Sequence, residues 1–216
     1  MSDEQTAAAE EQVVTSEKRG AVQVVTLNRP QYRNAQNSAM TYALDDAFAA
    51  AAADDEVKVI VLAATGDHFS AGHDIGSPGR DVDAFFADPV VRMGIPGVEY
   101  FAHPWVMGPR FAKEFLFLGE KVGAERALQL GMVNRVVPRA DLEAETVDVA
   151  ERIAKMPRMG LALTKMAVNQ CEDLMGLQSG MDSVFGLHHA AHSHNAESSE
   201  DHLAGHDARS MRDSQR

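Results

Sequence analysis

The strongest constraint on the fold is the sequence of residues 57–65, VKVIVLAAT, an almost unbroken run of apolar and often β-branched side chains. Such a run is typical of a strand buried on both faces of a parallel sheet. A second strand is predicted at residues 22–27, and between the two lies a predicted helix at 39–53 with Ser38 as its N-cap. Apolar residues recur at helical spacing along one face of that helix: Met40, Leu44, Ala47, Phe48 and Ala51. Strand, helix and strand in this order predict a right-handed βαβ unit, and hence an α/β fold class.

The strand at 22–27 is also the second strand of a predicted β-hairpin. Residues 13–15 form its first strand, and Lys-Arg-Gly at 18–20 forms its turn. Pro30 follows the hairpin and ends it, because proline has no N–H to donate to a sheet. The chain is accordingly expected to have three parts: a disordered leader, a core and a C-terminal helical region (1–12, 13–138 and 139–216).

The second half of the chain is predicted to be less regular at first and then helical. Residues 84–101 mix apolar side chains with prolines and glycines, which predicts only a short strand and turns. Two helices are predicted to end at Gly119 and Gly131, since glycine is the usual residue just past a helix C-terminus. Residues 132–137, MVNRVV, are predicted as a short strand, and Asp141 as the N-cap of the next helix.

Composition and charge exclude several classes of protein. The net charge of −12 disfavours a nucleic-acid partner, because phosphate binding needs clustered lysine and arginine. No apolar stretch approaches the roughly 20 residues of a membrane helix. The single cysteine, Cys171, leaves no internal disulfide and suits a reducing compartment. Residues 1–12 lack the features of a secretory signal, so a cytoplasmic location is expected.

The segment GDHFSAGHDI, residues 66–75, follows directly after the apolar run and is unlike an ordinary surface connection. It contains two glycines, a serine, two aspartates and two histidines between apolar residues. Two interpretations apply to such a loop. It either forms a sharp turn that leads from the strand, or it holds a ligand against its backbone.

Five stretches of the chain, in order, resemble the crotonase superfamily, the enoyl-CoA hydratase/isomerase family. They are VVTLNRPQYRNAQN, VKVIVLAATGDHFSAGHDI, DPVVRMGIPG, AKEFLFLGEKVGAERALQLGMVNRVVP and LALTKMAVNQ. Together they cover most of residues 13–171. The resemblance implies a crotonase-like α/β fold with a truncated core of β-β-α spiral type and a C-terminal α-helical region.

The resemblance also implies a site for acyl-CoA thioesters. Family members polarise the thioester carbonyl with two backbone N–H groups, an oxyanion hole, and the first of these corresponds to the N–H of His73. Arg33 is a candidate partner for a CoA phosphate. Asp74 is a candidate base, although capping the amides of its own turn is the favoured interpretation. The residues expected along the substrate are Asn28, Arg33, Asn34, Ser70, Ala71, Gly72, His73, Asp74, Ile75 and Gly76. No metal and no cofactor other than the CoA thioester substrate are implied, and a homotrimer or hexamer is expected.

The chain departs from the family pattern between Ile75 and Phe86, where only about ten residues replace a long segment. By resemblance, that segment supplies the second oxyanion N–H and one of two catalytic glutamates. The other glutamate is expected directly after a proline, where this chain has Val90 after Pro89. Losing one oxyanion donor costs about 10²–10³ in rate, and losing a positioned acid–base group costs about 10²–10⁴. Efficient hydration is therefore not expected, and the alternative is a catalytically silent crotonase-like protein that binds CoA esters or protein partners.

Two other groups of residues have competing interpretations. Glu99 and His103 could replace the missing glutamates, although four-residue spacing on an ordinary surface helix is favoured. In the histidine-rich tail, His188 with His192 and His202 with His206 could each hold a metal from one helix face. The tail lacks the glutamate of a hydrolytic zinc motif, and a solvated or interface helix is favoured.

Overall fold

The computed structural model describes residues 12–72, 85–88, 90–96 and 101–198. Most of the predicted leader at 1–12 therefore lies outside the described residues. The chain divides into two units, the first of which contains residues 12–72 and 137–161. The second unit contains the remaining described residues, from 85 to 136 and from 162 onwards.

A three-stranded sheet organises the first unit. Its strands are β1 (Val14–Arg19), β2 (Val22–Leu27) and β3 (Val59–Ala64), in the order β1-β2-β3. β1 and β2 are antiparallel, whereas β2 and β3 are parallel, as a βαβ unit requires. The predicted strand at 13–15 is too short and the predicted turn begins too early. The chain reverses at Gly20, whose φ of +60° permits a tight turn, so Lys18 and Arg19 remain in β1.

Helix α1 (Ser38–Ala53) connects the two parallel strands, as predicted. Its N-cap is Asn37 and not Ser38, because the Asn37 side chain accepts a hydrogen bond from the Met40 N–H at 3.0 Å. Met40 is fully buried, whereas Phe48 at the edge of the predicted apolar face is 37% exposed. The apolar face of the helix is therefore narrower than its spacing predicts.

Two helices cover the two faces of the sheet. On one face α1 packs Met40 against Val14, Val25 and Leu27. On the other face Ala150 of α5 (Leu142–Ala154) packs against strands β2 and β3. This arrangement buries apolar residues on both faces of β2 and partly buries those of β3, apart from Leu62, which is 40% exposed. Partial burial on both faces accounts for the apolar sequence of β3.

The second unit is mainly helical. Its elements are β4 (Phe85–Phe86), α2 (His103–Met107), α3 (Pro109–Leu118), β5 (Val122–Gly123), α4 (Ala124–Gln129) and α7 (Leu177–Ser198). Helix α6 (Arg158–Leu174) begins in the first unit and ends in the second. The core contains Met107, Ala112, Phe115, Val122 and Ala127.

The predictions for the second half of the chain have mixed outcomes. Gly119 and Gly131 both have positive φ just past the helices that they end, as predicted. The strand predicted at 132–137 is wrong, because these residues pair with no strand in the described part of the chain. Asp141 occupies the N-cap position of α5, but its side chain makes no capping hydrogen bond. None of the described helices combines the length and the apolar character needed to cross a membrane.

Candidate functional site

The segment that follows β3 begins as a continuation of the sheet. The N–H of Thr65 donates to the Leu27 carbonyl at 2.9 Å, and the chain turns away at Gly66, where φ is +75°. A Cβ atom at Gly66 would lie 2.7 Å from the Cβ of Pro30. Glycine is needed here for two reasons, since a side chain would both strain the backbone and collide with the proline ring.

The side chain of Asn34 holds the interior of this turn. Asn34 is fully buried, and its Oδ1 accepts from the Arg29 N–H at 2.8 Å. Its Nδ2 group donates to the carbonyls of Thr65 and His68, each at 2.8 Å. The φ of Asn34 is +52°, a conformation that asparagine tolerates better than most residues. One amide group therefore connects the end of β2 to the segment beyond β3.

Backbone hydrogen bonds extend this connection to Gly72. The Ala71 N–H donates to the Arg33 carbonyl at 3.0 Å, and the Gln36 N–H donates to the Gly72 carbonyl at 2.8 Å. The Ser70 hydroxyl donates to the Asn34 carbonyl at 3.0 Å and accepts from the Gly72 N–H at 3.1 Å. Residues 33–36 and 70–72 therefore lie side by side as a hydrogen-bonded pair of segments.

Gly72 ends this pair of segments with a φ of +80°. Among the described residues, no heavy atom other than those of its chain neighbours lies within 4 Å of the position that a Cβ would take. The space beside the backbone is open there, in contrast to the crowded position of Gly66. The positive φ still disfavours any residue other than glycine.

The outer side of the turn contacts Arg139, which lies in a 3-10 turn (Arg139–Asp141) before α5. Its Nη1 donates to the Asp67 carbonyl at 3.2 Å and its Nη2 donates to the Gly66 carbonyl. The same guanidinium pairs with the Asp67 carboxylate at 3.2 Å, with both side chains about two-thirds exposed. Sequence reasoning missed Arg139, because 72 residues separate it from Asp67 and no local pattern relates the two.

The structure brings six of the predicted substrate-contacting residues to the ends of β2 and β3. Asn28 contacts this region through its Oδ1, which accepts from the Thr65 hydroxyl at 3.2 Å. Arg33 has a φ of +53° and directs its carbonyl to Ala71. Asn34, Ser70, Ala71 and Gly72 make the contacts described above. The other four predicted residues, His73, Asp74, Ile75 and Gly76, lie outside the described residues.

In the second unit, His103 is not an exposed helix residue. Its Nε2 lies 3.3 Å from the Asp88 carboxylate, and the two side chains are 18% and 23% exposed. The His103 ring packs edge-on against Phe101. Its Nδ1 is buried without a hydrogen-bond partner among the described residues. Val90 lies in a 3-10 turn close to Asp88, and Glu99 lies outside the described residues.

Two histidines of the tail lie side by side on α7. The ring centroids of His188 and His192 are 4.4 Å apart, and the His188 ring lies 3.4 Å from the Pro96 carbonyl. His202 and His206 lie outside the described residues. Within the described part of the chain, no group of three or more histidine, cysteine, aspartate or glutamate side chains is arranged to hold a metal ion.

The chain combines a parallel βαβ unit with a helical C-terminal region, and its similarity to solved structures shows that the fold is crotonase-like. The family model for enoyl-CoA hydratase/isomerase matches residues 17–85 and 80–203. The chain therefore belongs to the enoyl-CoA hydratase/isomerase family.

Individual relatives agree with this assignment. The chain is 34% identical to a putative enoyl-CoA hydratase, EchA13, of Mycobacterium tuberculosis, over 81% of this chain and 78% of the relative. A crystal structure of a probable enoyl-CoA hydratase from Mycobacterium thermoresistibile is 39% identical, with a TM-score of 0.81 over 88% of this chain and all of the other. A probable enoyl-CoA hydratase from Mycobacterium smegmatis is 37% identical, with a TM-score of 0.80 over 86% and 96% of the two chains.

The alignments also show a gap in this chain. The alignment with the Mycobacterium tuberculosis protein spans 249 positions, which is 33 more than the 216 residues of the whole chain. At least that many positions of the relative have no counterpart here. The two stretches that match the family model meet at residues 80–85, inside the region where the sequence predicts a shortened core.

The buried amide of Asn34 gives a direct test of the turn. Replacing Asn34→Asp keeps the shape of the side chain but removes both N–H donors and places a charge beside two carbonyls. We expect the free energy of unfolding to fall by about 3 kcal/mol or more, since a buried carboxylate that keeps only the Arg29 N–H as a donor and faces two carbonyl oxygens is strongly destabilising. Urea denaturation of the purified chain measures this loss.

The matched control is Asn134→Asp, the same chemical change at an exposed position. We expect this control to change the free energy of unfolding by less than about 0.5 kcal/mol. Equal stability of the two variants would contradict the role assigned to Asn34.

Proposed function

We propose that the chain binds acyl-CoA thioesters at the segment that follows β3, with the thioester oxygen accepting from the His73 N–H. The observation that supports this most directly is the hydrogen bonding and conformation of the backbone of residues 65–72, just before His73. The carbonyls of residues 65–68 are engaged by side chains, and Gly72 has open space beside it with a φ of +80°. A rigid backbone with room beside it is what a preorganised N–H donor needs.

The chemistry available to such a site is polarisation of the thioester carbonyl. In hydration of an enoyl thioester, the water oxygen bonds to Cβ while a base takes the water proton. The electron pair of the double bond moves towards the thioester oxygen as an enolate, and Cα is then protonated. The N–H of His73 would stabilise the enolate oxygen, but the two proton transfers need acid–base groups. Val90 can serve as neither acid nor base.

The family's activity therefore divides into two parts for this chain. Binding and carbonyl polarisation depend on the segment before His73, which is retained. Efficient hydration depends on the second N–H and the glutamates, which by resemblance lie in the missing segment and at position 90. A catalytically silent protein that binds CoA esters is the second candidate function, and Val90 together with the gap favours it.

Other parts of the proposal concern the surroundings of the site. Arg33 would contact a phosphate of CoA, since the turn places it at the edge of the same segment. No cofactor is needed, because the thioester itself supplies the electron-accepting group. A reducing compartment such as the cytoplasm suits a chain whose one cysteine, Cys171, is exposed and free.

We also propose that the chain assembles as a homotrimer or hexamer. Large apolar side chains more than half exposed lie along α6 and α7: Met159, Leu163, Met166, Val168, Phe185 and Leu187. Apolar surface of this extent is typical of an interface between protein chains. Sedimentation velocity at micromolar concentration should give the mass of three or six chains, and a monomer would contradict the proposal.

Binding and turnover can be measured separately. Isothermal titration should detect stoichiometric binding of butyryl-CoA, because the retained segment supplies the oxyanion donor. Hydration of crotonyl-CoA, followed by loss of the enoyl absorbance, should be at least about a hundredfold slower than that of an active family member assayed beside it. Failure to bind any acyl-CoA would contradict the proposed thioester binding. Hydration at a rate within about tenfold of the active enzyme would contradict the expected loss of efficient hydration.

Position 90 can be tested by restoring the carboxylate. In Val90→Glu, a carboxylate occupies the place where the family has a glutamate, and we expect crotonyl-CoA hydration to rise about 10- to 100-fold. The rise is limited because the second oxyanion donor is still missing. The control is Val91→Glu, which adds the same charge at the neighbouring, 40% exposed residue. Equal rates for the two variants would show that position 90 does not correspond to the catalytic glutamate.

A further inference from the structure

Strand β3 is an edge strand of the three-stranded sheet, and among the described residues no strand pairs with its outer side. On the inner side, the N–H of Thr65 donates to the Leu27 carbonyl at the end of β2. The N–H and C=O groups of successive residues in a strand point to opposite sides, so that every second residue before Thr65 also points to β2. The groups that point outwards therefore belong to Ile60, Leu62 and Ala64.

The two edges of the sheet differ in charge. The opposite edge strand, β1, has exposed polar and charged side chains: Ser16, Glu17, Lys18 and Arg19. Charged side chains on an edge strand oppose pairing with a strand of another molecule. Strand β3 (Val59–Ala64) has no charged or polar side chain. The β1 edge is thus protected against pairing, whereas the β3 edge is not.

The outer edge of β3 is complementary to a second copy of itself. A two-fold axis perpendicular to the sheet relates two copies of β3 as antiparallel strands. When Leu62 lies opposite Leu62 of the second copy, Ile60 lies opposite Ala64, and each outward N–H and C=O group meets a partner. A register shifted by two residues would leave Ile60 or Ala64 beyond the end of the other strand. Because β3 is uncharged, the symmetric pairing brings no like charges together.

The side chain of Leu62 favours the same register. Leu62 is 40% exposed, whereas its neighbours on the same face, Ile60 and Ala64, pack against the core beneath α1. Side chains directly opposite each other in an antiparallel pair have Cβ atoms about 5 Å apart. The two copies of Leu62 would then cover each other and remove apolar surface from water.

We propose that the outer edge of β3 is an interaction surface for a second copy of this chain, which pairs through antiparallel β3 strands centred on Leu62. The pairing joins two three-stranded sheets into one continuous sheet. This inference does not depend on thioester binding. It is also separate from the proposed contact through α6 and α7, because it adds a two-fold contact made by different residues.

The first test is a cysteine cross-link at the centre of the pairing. Leu62→Cys is made in a chain that also has Cys171→Ser, which removes the exposed native thiol. We expect most of this variant to form a disulfide-linked dimer on equilibration with oxidised glutathione. Directly opposite residues of a hydrogen-bonded pair have Cα atoms about 5.5 Å apart, which lies within the range of a disulfide.

The matched control is Ile60→Cys in the same background. Ile60 would lie opposite Ala64, so its own copy would be four residues away along the strand, at about 13 Å. This distance is too long for a disulfide, and we expect the control to remain uncross-linked. Equal cross-linking of the two variants would contradict the register. No cross-link at position 62 would show that something other than a second copy covers the edge, and the inference would be wrong.

The second test introduces a charge at the edge and measures mass by sedimentation velocity. In Leu62→Lys, two like charges would lie directly opposite each other, and we expect the number of chains in the particle to halve. The position is partly exposed, so the lysine ammonium can reach water without disturbing the core. The control is Leu142→Lys, the same change at a 54% exposed residue of α5, which should leave the mass unchanged.

The masses also separate this inference from the proposed trimer. Six chains in the wild type and three in Leu62→Lys would support both contacts. Two chains that become one would support the β3 pairing and contradict the trimer. A wild type of three chains, or of one, would contradict the β3 pairing, as would a mass that Leu62→Lys and Leu142→Lys change equally.

Discussion

The conformation of the candidate site depends on one buried amide. Asn34 is fully buried, and its side chain both accepts from the end of β2 and donates to the segment beyond β3. Only an amide has one acceptor and two donors in a side chain of this length, so aspartate and leucine cannot replace it. Leaving any of these groups unpaired in the interior costs about 1–3 kcal/mol. The amide thus connects two strands that are already hydrogen-bonded along their whole length.

The gap in the chain leaves this connection intact because the contacts that make the turn are nearly all local to the first unit. β2 and β3 are adjacent parallel strands, and α1 and α5 cover the two faces of their sheet. The two stretches that match the family model meet at residues 80–85, which lie after the turn. In the described part of the chain β3 pairs on one side only, and Leu62 is 40% exposed. The residues that hold the turn all lie outside the gap.

The fold was predictable where burial of apolar residues alone determines the sequence pattern. The strands of the βαβ unit were predictable because a strand covered on both faces of a sheet needs a run of apolar residues. Helix α1 was predictable because its apolar residues recur at helical spacing on the face that packs on the sheet. The cap of α1 was misplaced by one residue because Asn37 and Ser38 are both good caps, and only the geometry distinguishes them. The strand at 132–137 was predicted from β-branched residues, but a strand also needs a partner, and its sequence says nothing about the partner's position.

The site was also predictable only in part, because the sequence does not show which distant residues contact the turn. Gly66 and Gly72 have local signatures, and the family resemblance identified the segment around them. The function of Asn34 within the turn was not evident, because its partners are 31 and 34 residues away. Arg139 has no signature at all, since its role comes from the position of α5 on the sheet.

Under the proposed function, binding and catalysis would depend on different parts of the chain. The proposed oxyanion donor is positioned by interactions inside a small sheet, and such interactions survive the loss of a neighbouring segment. Acid–base groups have to be brought to the reacting carbon from elsewhere in the chain, and by resemblance to the family they would be lost through the gap and through the valine at position 90. Such a chain would lose the acid–base contribution to the rate, about 10²–10⁴, while keeping the backbone geometry that we propose binds the thioester. Asn34 and Arg139 hold the turn by donating to backbone carbonyls, so the stability of the turn would not depend on the groups that transfer protons in an active family member.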